Sequence, residues 1–356
     1  MMTFLKICDR EIGPQCAPYI VAEMSANHGH DFDRAVKILH AAKKAGADAV
    51  KLQSYTSETM TIDCDNQFFR VKGTPWNGRK LFELYADAHT PWDWYRQLVP
   101  VANDVGLQLF STPFDSTSVD YLEQEGAPAY KVASFEIVDL PLLSRVARTG
   151  KPVILSTGMA SSVEIEEAVE TLKASGCRQY ALLKCTSAYP APASEMNLHT
   201  IPDLIQKFRV PVGISDHTLE VAVPVSATAL GACIVEKHLT LSRSQEGPDS
   251  GFSLEPDEFK LMVQAVRTAF ESLGDIHYGA TDRERSSLVF RRSLFVVKDI
   301  KAGEMFTNEN VRSIRPGYGL PPRAFDQVLG RCANRSIKRG TPMSWDLITS
   351  SSKTKS

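Results

Sequence analysis

Residues 153–174 read Val-Ile-Leu-Ser-Thr-Gly-Met-Ala-Ser-Ser-Val-Glu-Ile-Glu-Glu-Ala-Val-Glu-Thr-Leu-Lys-Ala. Val153-Ile-Leu is a short apolar run that ends in Ser156 and Thr157, and Gly158 breaks it. From Ser162 to Ala174 apolar residues recur at the spacing of one helix face. This is one strand–helix unit, and the pattern repeats through the first 240 residues. Apolar runs at 19–28, 49–55, 107–113, 129–134, 153–158, 180–187, 211–217 and 233–239 each end in polar residues. A helical stretch follows each, as at 33–45, 162–174 and 256–273. Eight strands alternating with eight helices predict an α/β chain closed into a parallel (β/α)8 TIM barrel. An open doubly wound sheet is the alternative. It usually has fewer strands and a glycine fingerprint after the first, and no G-x-G-x-x-G occurs.

The periodicity changes after Gly274. Residues 275–289 read as a linker, and 290–350 as a compact β-rich module. In that module 292–304 give a strand, a turn and a glycine, 308–311 begin a short helix, and Arg315-Pro-Gly317 and Arg339-Gly-Thr-Pro342 mark turns. A module this small has little core of its own and needs a docking surface. The polar residues 351–356 read as a disordered tail. One long insertion, 56–90, follows the second strand. It carries Phe68, Phe69, Trp76 and Tyr85, with Trp92 and Trp94 just beyond. Each ring suits packing beneath the next helix, and the group together suits the wall of a sugar site.

Composition narrows the function. The chain has 356 residues, 43% hydrophobic and 23% charged, as an ordinary globular enzyme does. A net charge of −2 does not support a general nucleic-acid surface. No apolar run reaches the length of a membrane span, and residues 1–10 lack a signal-peptide core. The seven cysteines, Cys8, Cys16, Cys64, Cys177, Cys185, Cys233 and Cys332, form no C-x-x-C pair. They read as reduced thiols of a cytoplasmic protein.

Chemistry in such a barrel gathers where the strands end. Those ends supply Glu23, Asn27, His28, Lys51, Gln53, Thr112, Lys131, Ser134, Glu136, Ser156, Thr157, Lys184, Thr186, Ser187, Ser215, Asp216, His217, Glu236, Lys237 and His238. Lys51, Thr112, Lys131, Ser134, Ser156 and Ser187 together suit a phosphate: lysines bring charge and hydroxyls bring direction. For Lys51 or Lys131 alone, a salt bridge to a neighbouring strand serves equally. His217 and His238 end the last two strands, so a closed barrel brings them together. Two imidazoles with a carboxylate nearby, Glu23 or Asp249, suit a divalent metal with open positions; two hydrogen-bonding histidines are the plainer alternative.

Ile20-Val-Ala-Glu-Met-Ser-Ala-Asn-His28, Lys51-Leu-Gln53, Ser111-Thr-Pro-Phe114, Tyr130-Lys-Val-Ala-Ser134, Leu155-Ser-Thr-Gly-Met159, Ser215-Asp-His-Thr218 and Glu236-Lys-His238 resemble the sialic acid synthases. Residues 290–348 resemble that family's antifreeze-like (SAF) domain, with Arg315-Pro-Gly317 as signature. Leu81-Phe-Glu-Leu-Tyr85, Thr90-Pro-Trp-Asp-Trp94, Leu183-Lys-Cys-Thr-Ser187 and Tyr189-Pro190 are most similar to the branch that makes pseudaminic acid. The N-acetylneuraminate branch typically carries His at Lys184 and Asn at Ser187, and it remains an alternative, as does the legionaminate branch.

The resemblance implies condensation of phosphoenolpyruvate with an open-chain amino-sugar, 2,4-diacetamido-2,4,6-trideoxy-L-altrose in this branch. It implies that His217 and His238 hold a divalent ion, Mn²⁺, Mg²⁺ or Co²⁺, which polarises the aldehyde. Glu23, Glu136 and Asp249 are candidates to stabilise charge at C2 and orient water, with Lys131 beside them. Lys51, Gln53, Thr112, Ser134, Ser156, Lys184, Ser187, Tyr189 and Ser215 bind substrate in this reading. The resemblance further implies a domain-swapped homodimer in which Arg315 of one subunit reaches the other's sugar. A metal-dependent hydrolase, a Schiff-base aldolase and a non-catalytic sugar-binding protein are the rivals.

Overall fold

The computed structural model describes residues 4–74, 76–245 and 247–349. The chain divides into two compact units, 1–274 and 275–356. In the first, eight parallel strands close into a barrel: β3 (Tyr19–Glu23), β4 (Ala49–Ser54), β5 (Gln108–Pro113), β6 (Tyr130–Val132), β7 (Val153–Ser156), β8 (Tyr180–Cys185), β9 (Val212–Asp216) and β10 (Ile234–His238). β10 pairs with β3 to complete the ring. Each expected run is a strand, and helices follow each as expected, among them Phe32–Ala45, Ser162–Ala174 and Pro256–Leu273. Local chemistry sets these ends. Ser161 and Glu164 form a reciprocal capping box at the start of the helix Ser162–Ala174. Asp31 caps the first helix.

Strand alternation sorts the side chains into two layers. Val50, Leu52, Leu182, Val212, Ile214 and Val235 face outward into the large core shared with the helices. Tyr19, Val21, Ala49, Phe110, Ala129, Ile154, Ala181, Leu183 and Ile234 face inward and fill the lower lumen. Gly213 belongs there because a Cβ would stand 2.4 Å from the Ile234 carbonyl oxygen.

A hairpin that the sequence pattern does not announce closes the floor. Strands β1 (Leu5–Ile7) and β2 (Arg10–Ile12) pair antiparallel, and Leu5, Ile7 and Ile12 join the lumen cluster. Three-residue strands are too short to register as a period.

The second unit is built on β11 (Ser293–Val296) and β12 (Val311–Ile314), paired antiparallel. Its core gathers Leu294, Val296, Ile300, Phe306, Val311, Val328 and Leu347. Two expectations need correction. Residues 308–311 do not begin a helix: they make one turn, in which the Asn310 side chain accepts from the Thr307 N–H at 2.7 Å, and Val311 enters β12 opposite Val296. The stretch read as linker ends in a 3₁₀ helix, Arg285–Phe290, preceded by a turn in which Thr281 and Glu284 bond reciprocally. The expected tail, 351–356, and residue 350 lie outside the described residues.

Candidate active site

The upper lumen is where inward positions turn polar. Two residues beyond Ala49 on the same face is Lys51; two beyond Ala129, Ile154, Ile234 and Phe110 come Lys131, Ser156, Glu236 and Thr112. Alternation therefore delivers a buried ion cluster. Lys51 Nζ lies 2.8 Å from Glu23 and 3.7 Å from Glu236, and Lys131 Nζ lies 3.7 Å from Glu236. Lys51 also donates to Thr112 Oγ1 at 3.1 Å, Lys131 to Ser156 Oγ at 2.7 Å, and Ser215 Oγ to Glu236 at 3.2 Å.

Each lysine is ion-paired, as the salt-bridge alternative expects, and each also faces the hydroxyl ring. Burial raises the Glu23 carboxyl, and Glu236 nearby raises it further, against the pull of Lys51. Burial also works on Glu236, but Lys131 and Lys51 outweigh it and hold that carboxyl below its usual range. Burial depresses Lys131, whereas the two carboxylates overcome it at Lys51 and raise that ammonium.

Above Lys131, Ser134 Oγ and Ser187 Oγ meet at 2.8 Å. Their approach needs a bare backbone at Gly158, where a Cβ would stand 2.3 Å from Ser134 Cβ. On the opposite side Gln53 Nε2 donates to Glu23 at 2.9 Å and to Ser25 Oγ at 2.8 Å. Ser25 Oγ in turn donates to Asp249, whose carboxyl burial raises. Glu136, just past β6, has a buried oxygen with no hydrogen-bond partner, and burial pushes its carboxyl up to about 7.

His217 and His238 come together as adjacent strands require, with ring centroids 5.5 Å apart. His217 Nδ1 donates to the Thr186 carbonyl at 2.9 Å, which leaves Nε2 its lone pair. His238 Nδ1 is buried without a partner. Burial lowers both imidazoles, so both are neutral, the form that binds a cation. The pair fits a divalent ion. Among the described residues no group of three or more His, Cys, Asp or Glu side chains is arranged to hold one, so the remaining positions of a bound ion would belong to water or substrate. Tyr189 packs on His217 at 4.4 Å, and Phe252 packs on both Tyr189 and His238 at 5.0 Å.

A cavity of about 360 Å³ lies above the cluster. Ser25, Gln53, Ser134, Glu136, His238 and Asp249 bring polar groups to its lining, and Tyr55, Met60, Leu81, Leu84, Tyr85 and Phe114 bring apolar surface. The insertion thus splits by role. Trp76 and Tyr85 line the cavity, whereas Trp92 stacks on Tyr121 at 4.8 Å, Trp94 packs on His28 and Phe32, and Phe68 is 80% exposed.

Three expected site residues stand apart. Lys184, Asp216 and Lys237 have outward parity. Lys237 pairs with Asp216 behind the barrel wall. Lys184 donates to the Cys185 carbonyl at 2.7 Å and lines neither the lumen nor the cavity, so its neighbour Cys185 takes the inward position on β8. Arg315 lies exposed just beyond β12 in the second unit. Sequence reasoning missed Ser25, Tyr55 and Cys185. Parity counted from Ala49 and Ala181 would have found the last two.

Residues 38–278 match the NeuB family, and 291–349 match the SAF domain. The chain belongs to the NeuB family. It is 45% identical to the pseudaminic acid synthase of Campylobacter jejuni, over 90% of this chain and 94% of that protein. It is 42% identical to the pseudaminic acid synthase of Helicobacter pylori, over 93% of this chain and 98% of that protein. Among solved structures, the N-acetylneuraminic acid synthetase of Leptospira borgpetersenii, in complex with citrate, matches with a TM-score of 0.72 at 31% identity, over 81% of this chain and 96% of that one. The NeuB match spans most of the barrel and includes all eight strand ends except that of β3.

Glu136 yields a test of this site. Its folded pKa of about 7 exceeds the ordinary value of about 4.3, so the folded chain holds the extra proton and loses stability as pH rises between the two. Glu136→Gln removes that loss. The variant should gain on the unaltered chain by up to about 3 kcal/mol at pH 8 and by little at pH 5, measured by urea denaturation. A gap that stays flat with pH would mean the carboxyl is ionised throughout.

Proposed function

We propose that the chain is a pseudaminic acid synthase: it condenses phosphoenolpyruvate with 2,4-diacetamido-2,4,6-trideoxy-L-altrose to give pseudaminate and phosphate. The observation that carries this reading is the ring of Lys51, Lys131 and hydroxyls set beneath an apolar-walled cavity. The relatives at 42–45% identity support the choice of sugar.

In this reaction C3 of phosphoenolpyruvate bonds to the aldehyde carbon, whose oxygen takes a proton to become a hydroxyl. Water adds to C2 and gives up both protons, one matching the new hydroxyl and one leaving with the phosphate, as the bond between C2 and the phosphate oxygen breaks and C2 becomes a carbonyl. The side chains divide this work. Lys51 and Lys131 with Thr112, Ser134, Ser156, Ser187 and Ser215 hold the phosphate and carboxylate. Glu23 and Glu136, both raised by burial, are suited to exchange a proton near neutral pH. Gln53, Asp249 and Tyr189 line the way to the sugar. A divalent ion held by His217 and His238 would supply Lewis-acid polarisation of the aldehyde. Lys184, by its parity, acts on the strand end and not on the substrate.

The reading extends to a cytoplasmic homodimer in which Arg315 serves the partner's site. The seven free thiols support the compartment. Among the described residues no helix is long and apolar enough to cross a membrane.

Phosphate release tests the reaction. With Mn²⁺ and phosphoenolpyruvate, release is expected with the altrose derivative and not with N-acetylmannosamine or the legionaminic precursor. Release with one of the latter instead would keep the chemistry and replace the sugar; none with any sugar would leave a binding protein. His238→Ala should stay folded, lose turnover and bind Mn²⁺ weakly by calorimetry; full Mn²⁺ affinity would remove it from the ion. Arg315→Ala co-expressed with His238→Ala should recover part of the activity that each lacks alone. No recovery in mixed dimers would place Arg315 in the site of its own subunit.

A further inference from the structure

Tyr55 continues the inward series of Ala49, Lys51 and Gln53, two layers above the Lys51 of the ion cluster. Its side chain is 2% exposed, and its ring meets Tyr85 at 5.7 Å and Phe114 at 5.1 Å, both edge-on. Among the described residues its hydroxyl has no hydrogen-bond partner, and neither has that of Tyr85. Both rings line the cavity. Tyr55 is buried and Tyr85 half-buried, and both border the cavity, so the partner left open to these hydroxyls is an acceptor on a bound ligand. Burial raises both phenols above their usual range, so both remain donors at neutral pH.

The surroundings restrict what could accept those protons. Met60, Leu81, Leu84 and Phe114 present carbon to the same cavity, and Gln53, Ser134, Glu136 and Asp249 bring polar groups to it. A ligand that meets both the phenols and this carbon therefore carries an acceptor with an apolar group attached to it. A hydroxyl lacks the apolar part and would be buried against carbon; a bare alkyl group would leave the phenols unpaired. An acetamido group has both, a carbonyl oxygen beside a methyl.

We propose that Tyr55, with Tyr85 beside it, selects the sugar by donating a hydrogen bond to one of its acetamido groups, while Met60, Leu81 and Leu84 enclose the methyl. This rests on the condensation proposed above and deepens it. The selection acts in binding and not in the bond-forming step, because the group it holds does not react.

The test is steady-state kinetics of Tyr55→Phe, which keeps the ring contacts and removes only the hydroxyl. The sugars are the diacetamido substrate and two analogues, each with one acetamido group replaced by hydroxyl. The KM for the diacetamido sugar should rise about ten-fold, with kcat and the KM for phosphoenolpyruvate little changed. Discrimination against one of the two analogues should fall by a similar factor. An unmoved sugar KM, a fall confined to kcat, or two preserved discrimination ratios would each overturn the proposal. If the unaltered chain turns over none of the sugars, the condensation reading fails and takes this one with it. Turnover by the unaltered chain with an unchanged variant sinks the selection alone.

Discussion

Four charges share the middle of the barrel: Glu23, Lys51, Glu236 and Lys131. Moving any one of them from water into that lumen is costly, and only mutual pairing makes the set tolerable. Removing a single member would leave its partner charged and unmatched. The cluster also explains why the lower lumen is sealed with carbon, since a drier floor strengthens each attraction above it. Its balance is uneven. Glu236 touches both ammonium groups and Glu23 only one, so the two carboxyls move in opposite directions from the same burial. One arrangement thus yields a fixed anion and a carboxyl suited to proton exchange.

Much of this was legible in the sequence, and strand alternation says why. Once eight runs are taken as parallel strands of a closed barrel, the inward face follows from one apolar lumen residue on each. Lys51, Lys131, Thr112, Ser156, Ser215 and Glu236 then fall on a single surface. Reading strand ends without counting parity admits Lys184, Asp216 and Lys237, which belong to the other face. Lys184 shows the hazard most clearly. Its difference from the neuraminate branch drew attention to it, yet its ammonium is spent on the backbone of its own strand end.

The less legible parts depend on distant residues. Nothing local ties Ser25 to Asp249, 224 positions away, or Trp76 to the Pro248 carbonyl. The 56–90 insertion has no long period, because its helices run to four, three and eight residues. Its aromatic residues carry no mark that separates Tyr85, which lines the cavity, from Phe68, which faces solvent. Tertiary contact alone decides that.

The hairpin formed by residues 5–12 gives the lumen only one end. With Leu5, Ile7 and Ile12 beneath, nothing passes through the barrel, and whatever reaches the lysines must first cross the cavity above them. The hairpin lays a second layer of carbon beneath a base that Tyr19, Val21, Phe110 and Ile154 already fill, so a few residues at the start of the chain back up the dry floor on which the charges at the other end depend.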